Sequence, residues 1–233
     1  MSFQADIGII GALVSEVEYI IARLENPKKH TVSGIDFHLG ELYGKRLAVA
    51  KCGVGKVFAA ICAEAMITSF SPKLVVNTGV GGALEKDLRP LDIVVADKLV
   101  QHDMDTSPLG DPPGLISGIN KVYFECDKRA RDILFSVAAR ENVHAISGTV
   151  ATGDKFIHKR DDKERIVSLF GASACEMEGG AIAHTAYVNS TPFAVVRAIS
   201  DSADGEASMD YAAFLPRASQ ISTVLTLGLI KEY

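Results

Sequence analysis

Short apolar runs with little polar interruption recur along the chain, and they constrain its fold more than any other feature. The first run is residues 7–13 (IGIIGAL), and later ones are residues 74–78 (LVVNT) and 192–200 (PFAVVRAIS). Such runs, without polar alternation, are typical of strands buried on both faces, as in a parallel sheet. Apolar residues at helical spacing follow the first run directly. The sequence therefore predicts strands that alternate with helices around a buried sheet.

The remaining pattern extends this alternation to the end of the chain. Further strands are predicted at 35–43, 46–52, 91–100, 144–153 and 173–177, and further helices at 57–70, 130–137, 166–170 and 181–187. Residues 106–120 hold several Pro and Gly residues, which indicates a loop. The last helix, at 211–230, should break or kink at Pro216, because proline lacks a backbone donor. No repeat or domain boundary interrupts the pattern, so we expect one α/β domain.

Composition excludes several classes of partner. Lys and Arg total 24 against 29 Asp and Glu, giving a net charge of -5 without a basic block, which argues against nucleic-acid and membrane-surface binding. The chain begins without a basic signal-peptide region, and we expect no stretch of the ~18 apolar residues that span a bilayer. Four separated cysteines, Cys52, Cys62, Cys126 and Cys175, are typical of free thiols in a reducing compartment. A cytoplasmic location is expected.

Acidic side chains follow several of the apolar runs. Ligand sites in open α/β sheets lie outside the carboxyl ends of the strands, so these residues are candidates for a site. Glu16 follows the first run, Glu176 and Glu178 lie in the segment CEME, and Asp201 ends the run AVVRAIS. Arg197 is the one arginine in the apolar runs that these acids follow. Massed carboxylates of this kind favour a hydroxyl-rich, neutral or cationic ligand over a phosphate.

Familiar cofactor motifs fail on spacing. The segment CGVGKV lacks the upstream Gly and the Ser or Thr of a P-loop, and TGVGGA lacks the spacing of a dinucleotide fingerprint. Residues 102–105 (HDMD) could bind a metal, but no second cluster supports this, and a polar loop is favoured. No GxSxG elbow is present for covalent acyl chemistry. We therefore expect neither a metal nor a cofactor.

Each candidate acid also has a structural interpretation. Glu16 could stabilise a helix start through the helix dipole, and Asp201 could cap the segment that follows it. Glu176 and Glu178, spaced by two, would point the same way on a strand, which is costly unless both have partners. The residues taken singly leave these alternatives open.

Taken together, seven segments in order along nearly the whole chain resemble the nucleoside phosphorylase superfamily. They are IGIIGALVSEV (7–17), CGVGKV (52–57), NTGVGGAL (77–84), DIVVAD with HDMD (92–105), TGDKFI (152–157), CEMEGGAIAH (175–184) and VVRAISDSAD (195–204). The specific match is to the hydrolytic branch, the 5′-methylthioadenosine/S-adenosylhomocysteine nucleosidases. The resemblance implies a single three-layer α/β/α domain over residues 1–233 with a central mixed sheet. It also implies a homodimer that hydrolyses adenine thionucleosides to adenine and a 5-thio-ribose product.

The resemblance also implies roles for individual residues. Glu16 matches the glutamate that orients or deprotonates the attacking water, and Asp201 matches the acid that protonates adenine at N7. Glu178 and Met177 match ribose contacts, and Arg197 lies near the water and the ribose.

Other matched positions belong to the base and to the 5′ substituent. Phe156 matches an aromatic ring stacked on adenine, and the backbone of Ile157 matches the reader of the adenine edge. The apolar 5′ pocket is implied at Leu13, Val54 and Tyr211. The partner subunit's contribution to that pocket is implied at Thr106 and Leu109.

One departure from the superfamily bears on the nucleophile. Phosphorylase relatives hold phosphate with a serine and an arginine, where this chain has Val80 and Asn77. Valine cannot donate a hydrogen bond and asparagine carries no charge, so water is favoured as the nucleophile, although an effect of Val80 on ribose contacts stays open. The alternatives are an aminodeoxyfutalosine-type or other adenosine nucleosidase, a purine nucleoside phosphorylase, and a non-catalytic nucleoside-binding module. The last would not need both Glu16 and Asp201.

Overall fold

One mixed sheet of ten strands organises the part of the chain that the computed structural model describes, residues 3–201 and 207–233. The strands are β1 Ile7–Gly11, β2 Glu25–Val32, β3 Ile35–Leu42, β4 Lys45–Lys51, β5 Leu74–Ala83, β6 Ile93–Gln101, β7 Tyr123–Glu125, β8 Ala145–Thr152, β9 Ala172–Glu176 and β10 Phe193–Asp201. The helices are α1 Val14–Ile21, α2 Lys56–Phe70, α3 Lys128–Arg140, α4 Arg160–Phe170, α5 Gly179–Val188 and α6 Ala207–Glu232. Residues 202–204 of the last sequence motif lie outside the described residues.

The sheet closes on itself over half of its width. The strand order is β2-β3-β4-β1-β5-β9-β8-β6-β10, with β7 on β6, and β10 also pairs with β5. Strands β5, β9, β8, β6 and β10 therefore form a ring. Strands β4, β1, β5 and β10 run parallel, which brings their carboxyl ends to the same edge.

Helices cover both faces of the sheet. Val17 of α1, Leu134 of α3 and Leu225 of α6 share one buried apolar core. On the other face, the core includes Met66 of α2 and Ile182 of α5. This arrangement confirms the predicted three-layer α/β/α architecture with a mixed central sheet.

The apolar runs are confirmed as strands, and so are the strands predicted at 35–43 and 46–52, but β2 was missed. All residues of β2 before Val32 are exposed, and its sequence ENPKKHTV is charged and contains Pro27. An edge strand needs neither apolar alternation nor all of its backbone donors, and charge and proline there discourage pairing between molecules. Propensity therefore could not reveal this strand.

Pro216 lies inside α6 and does not end the helix, so the predicted break was wrong, while the alternative of a kink stays a prediction. Proline removes the hydrogen bond to the carbonyl four residues earlier, that of Ala212. Both Pro216 and Ala212 are exposed, so water can reach this carbonyl.

The segment Tyr211–Glu232 of α6 is long and apolar enough to cross a membrane by length and composition, which corrects the expectation that no such stretch exists. In the structure it packs instead against the sheet. Leu225 and Leu229 are fully buried in the core, and the hydroxyls of Ser222 and Thr226 hydrogen bond to Thr78 of β5 at 2.7 and 2.9 Å. These contacts are those of a core helix.

Replacing Pro216 should stabilise the protein. A proline inside a helix costs about 3 kcal/mol relative to alanine, and part of this is offset because proline stiffens the unfolded chain. We expect Pro216→Ala to raise the free energy of unfolding by about 1–2 kcal/mol in urea titrations. The exposed Gln220→Ala in the same helix is the control, with a change below about 0.5 kcal/mol. Equal stability of Pro216→Ala and the parent chain would contradict this interpretation of α6.

Candidate active site

A cleft lies at the carboxyl ends of β1, β5 and β10. Its walls are formed by Ala12, Leu13, Glu16, Val54, Val80, Gly81, Gly82, Lys155, Phe156, Ile157, Cys175, Glu176, Met177, Glu178, Ser200, Asp201 and Tyr211. Ten of the thirteen residues that the sequence assigned to a site are in this set. The three that are not are Arg197, Thr106 and Leu109.

Glu16 is held in the cleft by backbone donors from two elements. Its Oε2 accepts hydrogen bonds from the N–H groups of Ala12 and Leu13 at 2.6 and 2.9 Å, and its Oε1 accepts from that of Val80 at 3.1 Å. Burial raises the pKa of Glu16, although these bonds and Arg197 oppose the rise. The structural interpretation, a glutamate at a helix start, is therefore also correct, since Leu13 directly precedes α1.

Asp201 lies at the end of β10, where an irregularity in the pairing with β5 sets it opposite Gly82. It is 2% exposed, and its Oδ1 accepts a hydrogen bond from the Ser200 hydroxyl at 2.9 Å. The residues that directly follow Asp201 lie outside the described part of the chain, so its alternative role as a cap for the next segment stays a prediction.

A buried lysine next to Asp201 was missed by the sequence analysis. The Nζ of Lys163 lies 3.9 Å from Oδ2 of Asp201, and the Lys163 side chain is 4% exposed. Lys163 shares the buried face of α4 with Ile166 and Phe170. A lysine at that spacing on an apolar stripe was the available signal, because lysine is almost never fully buried unless it is paired.

Glycines in β5 make room for the two acids. A Cβ atom on Gly79 would lie 2.5 Å from Oε1 of Glu16, and one on Gly82 would lie 2.9 Å from Oδ2 of Asp201. The strand predicted at 74–78 in fact continues through these glycines to Ala83. The segment TGVGG is therefore part of a strand, and its glycines leave room for the carboxylates of Glu16 and Asp201 to pack against it.

Glu176 and Glu178 do not lie on one strand, contrary to their predicted common direction. Strand β9 ends at Glu176, and Glu178 directly precedes α5. Oε2 of Glu176 accepts from the N–H groups of Glu178 and Gly179 at 3.0 and 2.6 Å, at the start of α5. Oε1 of Glu178 accepts from the N–H of Gly55 at 2.9 Å, at the start of α2. Strand β9 therefore stops at Glu176, whose carboxylate accepts hydrogen bonds at the start of α5.

The surroundings of Glu176 and Glu178 shift the pKa values of the two carboxyl groups in opposite directions. Burial would raise the pKa of Glu176, but the ion pair with Arg197 outweighs burial and lowers it. Burial, reinforced by the charge of Glu176, raises the pKa of Glu178 to about 7. Glu176 is therefore a fixed anion, whereas Glu178 changes charge near neutral pH.

Arg197 is not among the wall residues of the cleft, and its predicted place near the water and the ribose stays a prediction. Its side chain is fully buried, and its guanidinium donates to the carboxylate of Glu176 and to the side-chain oxygen of Asn77. The Asn77 side chain also donates to the carbonyl of Ile10 at 3.0 Å. The Arg197 guanidinium is therefore bonded to Glu176, which itself lies in the cleft wall.

The apolar wall of the cleft carries the remaining predicted residues. Leu13, Val54 and Val80 lie in the same wall as Tyr211. The rings of Tyr211 and Phe156 pack edge to face, with 5.6 Å between their centroids. Burial raises the pKa of the Tyr211 hydroxyl, and so do three nearby carboxylates, those of Glu16, Glu178 and Asp201. These acids therefore surround one space. Met177 and Ile157 also line it.

Thr106 and Leu109 lie on the loop after β6, outside the cleft walls of this chain. Leu109 ends a 3₁₀ turn, Ser107–Leu109, and is 84% exposed. Their predicted role in a partner subunit's pocket stays a prediction. In the described part of the chain, no three His, Cys, Asp or Glu side chains are grouped to hold a metal ion.

Residues 6–231 match the family model described as "Phosphorylase superfamily". A 5′-methylthioadenosine/S-adenosylhomocysteine nucleosidase from Shewanella halifaxensis is 33% identical over 227 residues, which are 97% of this chain and 99% of that protein. An aminodeoxyfutalosine nucleosidase from Helicobacter pylori is 35% identical over 227 residues, 97% and 98% of the two chains. A 5′-methylthioadenosine/S-adenosylhomocysteine nucleosidase structure from Neisseria meningitidis, in complex with methylthio-immucillin-A, has a TM-score of 0.94 at 32% identity and covers 97% and 99%.

These matches span nearly the whole chain and agree with the fold and the acidic cleft. The chain belongs to the phosphorylase superfamily. Within the superfamily it belongs with the 5′-methylthioadenosine/S-adenosylhomocysteine nucleosidases, and it is an N-glycosyl hydrolase.

The raised pKa of Glu178 predicts a pH-dependent effect of removing its charge. Between pH ~4.5 and ~7 the folded chain keeps a proton that the unfolded chain loses, so stability falls as pH rises through this window. Glutamine has no charge to bury and can still accept from Gly55. We expect Glu178→Gln to be more stable than the parent by ~2–3 kcal/mol at pH 8 and by much less at pH 5, measured by urea unfolding without substrate.

The exposed Glu18→Gln in α1 is the matched control. Its effect on the free energy of unfolding should be small and equal at the two pH values. A stability difference for Glu178→Gln that does not change with pH would show that burial leaves this carboxylate unperturbed.

Proposed function

We propose that this enzyme hydrolyses the N-glycosidic bond of 5′-methylthioadenosine and S-adenosylhomocysteine, releasing adenine and the 5-thio-ribose product. The observation that carries the proposal is the meeting of two buried acids, Glu16 and Asp201, in one cleft with Glu178 and an apolar wall. Relatives named for these two substrates match the chain over nearly all of its length.

The two acids divide the work of glycosidic cleavage. Such cleavage passes through an oxocarbenium-like transition state, which needs an acid at the leaving group and a base at the water. Glu16, with a pKa raised by burial, is suited to take a proton from water. Asp201 delivers a proton to N7 of adenine, and the Glu178 carboxylate accepts hydrogen bonds from the ribose hydroxyls and stabilises positive charge on the ring.

Water is the nucleophile in this proposal because the phosphate-binding positions are otherwise engaged. Val80 contributes only an apolar side chain, and its backbone N–H is bonded to Glu16. The Asn77 side chain is bonded to Ile10 and Arg197. Buried carboxylates nearby would also repel a phosphate dianion.

The substrate preference is argued from the wall of the cleft. Leu13, Val54 and Tyr211 offer apolar contacts that suit an alkylthio group at the 5′ position. Phe156 is 42% exposed and meets Tyr211 edge to face, which leaves a ring face available for stacking on adenine.

A nucleoside panel tests the reaction and the substrate together. Purified enzyme should release free adenine from 5′-methylthioadenosine and S-adenosylhomocysteine in phosphate-free buffer, with lower kcat/KM for 6-amino-6-deoxyfutalosine. Added phosphate should leave the rate unchanged. Asp201→Asn should lower kcat by about 10²-fold, because an amide keeps the shape of the acid but delivers no proton.

Two outcomes would overturn parts of this proposal. A ribose-1-phosphate product would identify a phosphorylase instead of a hydrolase. A higher kcat/KM for 6-amino-6-deoxyfutalosine than for the thionucleosides would leave the chemistry standing and reassign the substrate.

We also infer a homodimer in which the loop around Leu109 completes the partner's 5′ pocket. Helices α2 and α5 expose apolar side chains on neighbouring surfaces, namely Val57, Phe58, Ile61, Tyr187 and Val188. The loop joins this surface directly, since Asp103 at its start forms an ion pair with Lys56 of α2. Exposed apolar patches of this kind mark interfaces, and isologous dimers are the commonest closed assembly.

The four buried free thiols support a reducing compartment, the cytoplasm.

Charge placed on this surface should separate the subunits. Val57→Asp should give a monomer by light scattering at the assay concentration and lower kcat/KM at least tenfold. Leu109→Asp should raise KM for 5′-alkylthio substrates. Tyr43→Asp, on an exposed β-turn, is the control and should stay dimeric and active. A fully active wild-type monomer would refute the shared pocket.

A further inference from the structure

The start of α2 connects two segments that carry cleft residues. The N–H of Gly55 donates to Oε1 of Glu178 at 2.9 Å, and the N–H of Lys56 donates to Oδ1 of Asp154 at 2.8 Å. The first N–H groups of a helix have no partner within the helix, so carboxylates from elsewhere can satisfy them. Gly55 adopts φ +99°, in the region that favours glycine, and this conformation lets both N–H groups meet their carboxylates.

Asp103 closes a ring of hydrogen bonds around this helix start. Its Oδ1 accepts from Nζ of Lys56 at 2.6 Å, and its Oδ2 accepts from the N–H of Asp154 at 2.9 Å. Lys56, Asp154 and Asp103 are therefore each bonded to the other two. Burial would raise the pKa of Asp103, but the bonds from Lys56 and Asp154 outweigh burial and lower it. Asp103 is consequently an anion at neutral pH.

The ring of hydrogen bonds includes Asp154, which belongs to a segment that enters the cleft. Asp154 lies between Gly153 and the cleft residues Lys155, Phe156 and Ile157, and the backbone of this 153–157 segment is outside every helix and strand. The N–H of Asp154 and its carboxylate are both bonded to the ring. These contacts lie two residues before Phe156 in the chain.

We propose that Asp103 is a positioning residue for the nucleosidase reaction. It does not line the cleft, and it acts by holding the 153–157 segment against α2 so that Phe156 and Ile157 meet the adenine base. The inference rests on the proposed adenine site. Glu178 is bonded to the N–H of Gly55, next to Lys56 of the hydrogen-bonded ring. The proposed adenine contacts, Phe156 and Ile157, and the proposed ribose contact, Glu178, are therefore both positioned by the start of α2.

A purely structural ion pair would behave differently. The side chains of Lys56 and Asp103 are 20% and 31% exposed, and ion pairs near the surface add little to stability. Loss of Asp103 should therefore change substrate affinity much more than it changes the thermal midpoint.

The test compares Asp103→Ala and Asp103→Asn with the wild-type chain. Asp103→Ala should raise KM for 5′-methylthioadenosine and Kd for free adenine by about tenfold or more, the size expected from losing a charge-assisted hydrogen bond, with kcat within about threefold. Asp103→Asn keeps an acceptor for the N–H of Asp154 but turns a donor toward Lys56, so its effect should be intermediate. Adding Lys56→Gln to Asp103→Asn allows an amide pair to form and should recover part of the loss.

Asp132→Ala is the matched control. Asp132 forms an ion pair of the same length, 2.6 Å, with Lys128 on α3. This variant should keep KM, kcat and adenine affinity within about twofold of wild type. Hydrogen exchange of the 153–157 peptide gives a readout that does not depend on substrate, and only the Asp103 variants should speed it.

Asp103→Ala with unchanged KM, unchanged adenine Kd and unchanged exchange would overturn the positioning role, whatever its thermal midpoint. Failure of the wild-type chain to release adenine would instead refute the proposed function. In that case the exchange of the 153–157 peptide still decides whether Asp103 holds the segment.

Discussion

The burial of four carboxylates at one end of a sheet is the constraint on which the rest of this structure depends. Glu16, Glu176, Glu178 and Asp201 are all buried, and the most exposed of them, Glu176, is 8% exposed. An isolated ionised carboxylate is strongly disfavoured in such surroundings. Two buried cations, Arg197 and Lys163, lie among the described residues beside them, paired with Glu176 and Asp201. The other two acids are stabilised mainly by the main chain, whose N–H groups are free where strands end and helices begin.

The fold supplies those donors through its geometry. Parallel strands bring the ends of β1, β5 and β10 together, and helix α1 begins soon after β1 ends. Glycines in β5 allow the Glu16 and Asp201 carboxylates to approach the strand closely. A side chain at Gly79 would occupy the space of the carboxylate itself. The glycine-rich segment therefore makes room for carboxylates of the protein itself, whereas glycine-rich segments in other folds often bind the phosphates of a ligand.

Much of this could be predicted from local pattern, and the failures have physical causes. The buried strands were visible as apolar runs, and Glu16 and Asp201 were found because polar residues at strand ends converge in α/β folds. Glu178 was placed in the right cleft for the wrong reason, since its strand stops at Glu176. The ion pair between Arg197 and Glu176 joins residues 21 positions apart in the sequence, and no local sequence pattern predicts such a pair. Edge strand β2 lacked an apolar signal because solvent covers it.

The division of labour between main chain and side chains has a consequence for how such a cleft can diversify. The bonds that hold Glu16 come from backbone N–H groups, which survive most substitutions, whereas the wall around the 5′ position is made of side chains such as Leu13 and Val54. Exchanging those wall residues alters the shape of the pocket without touching the supports of the acids. Chemistry and selectivity are thus separable modules in one cavity. Relatives at 33% and 35% identity carry the names of different nucleoside substrates, as such modularity allows.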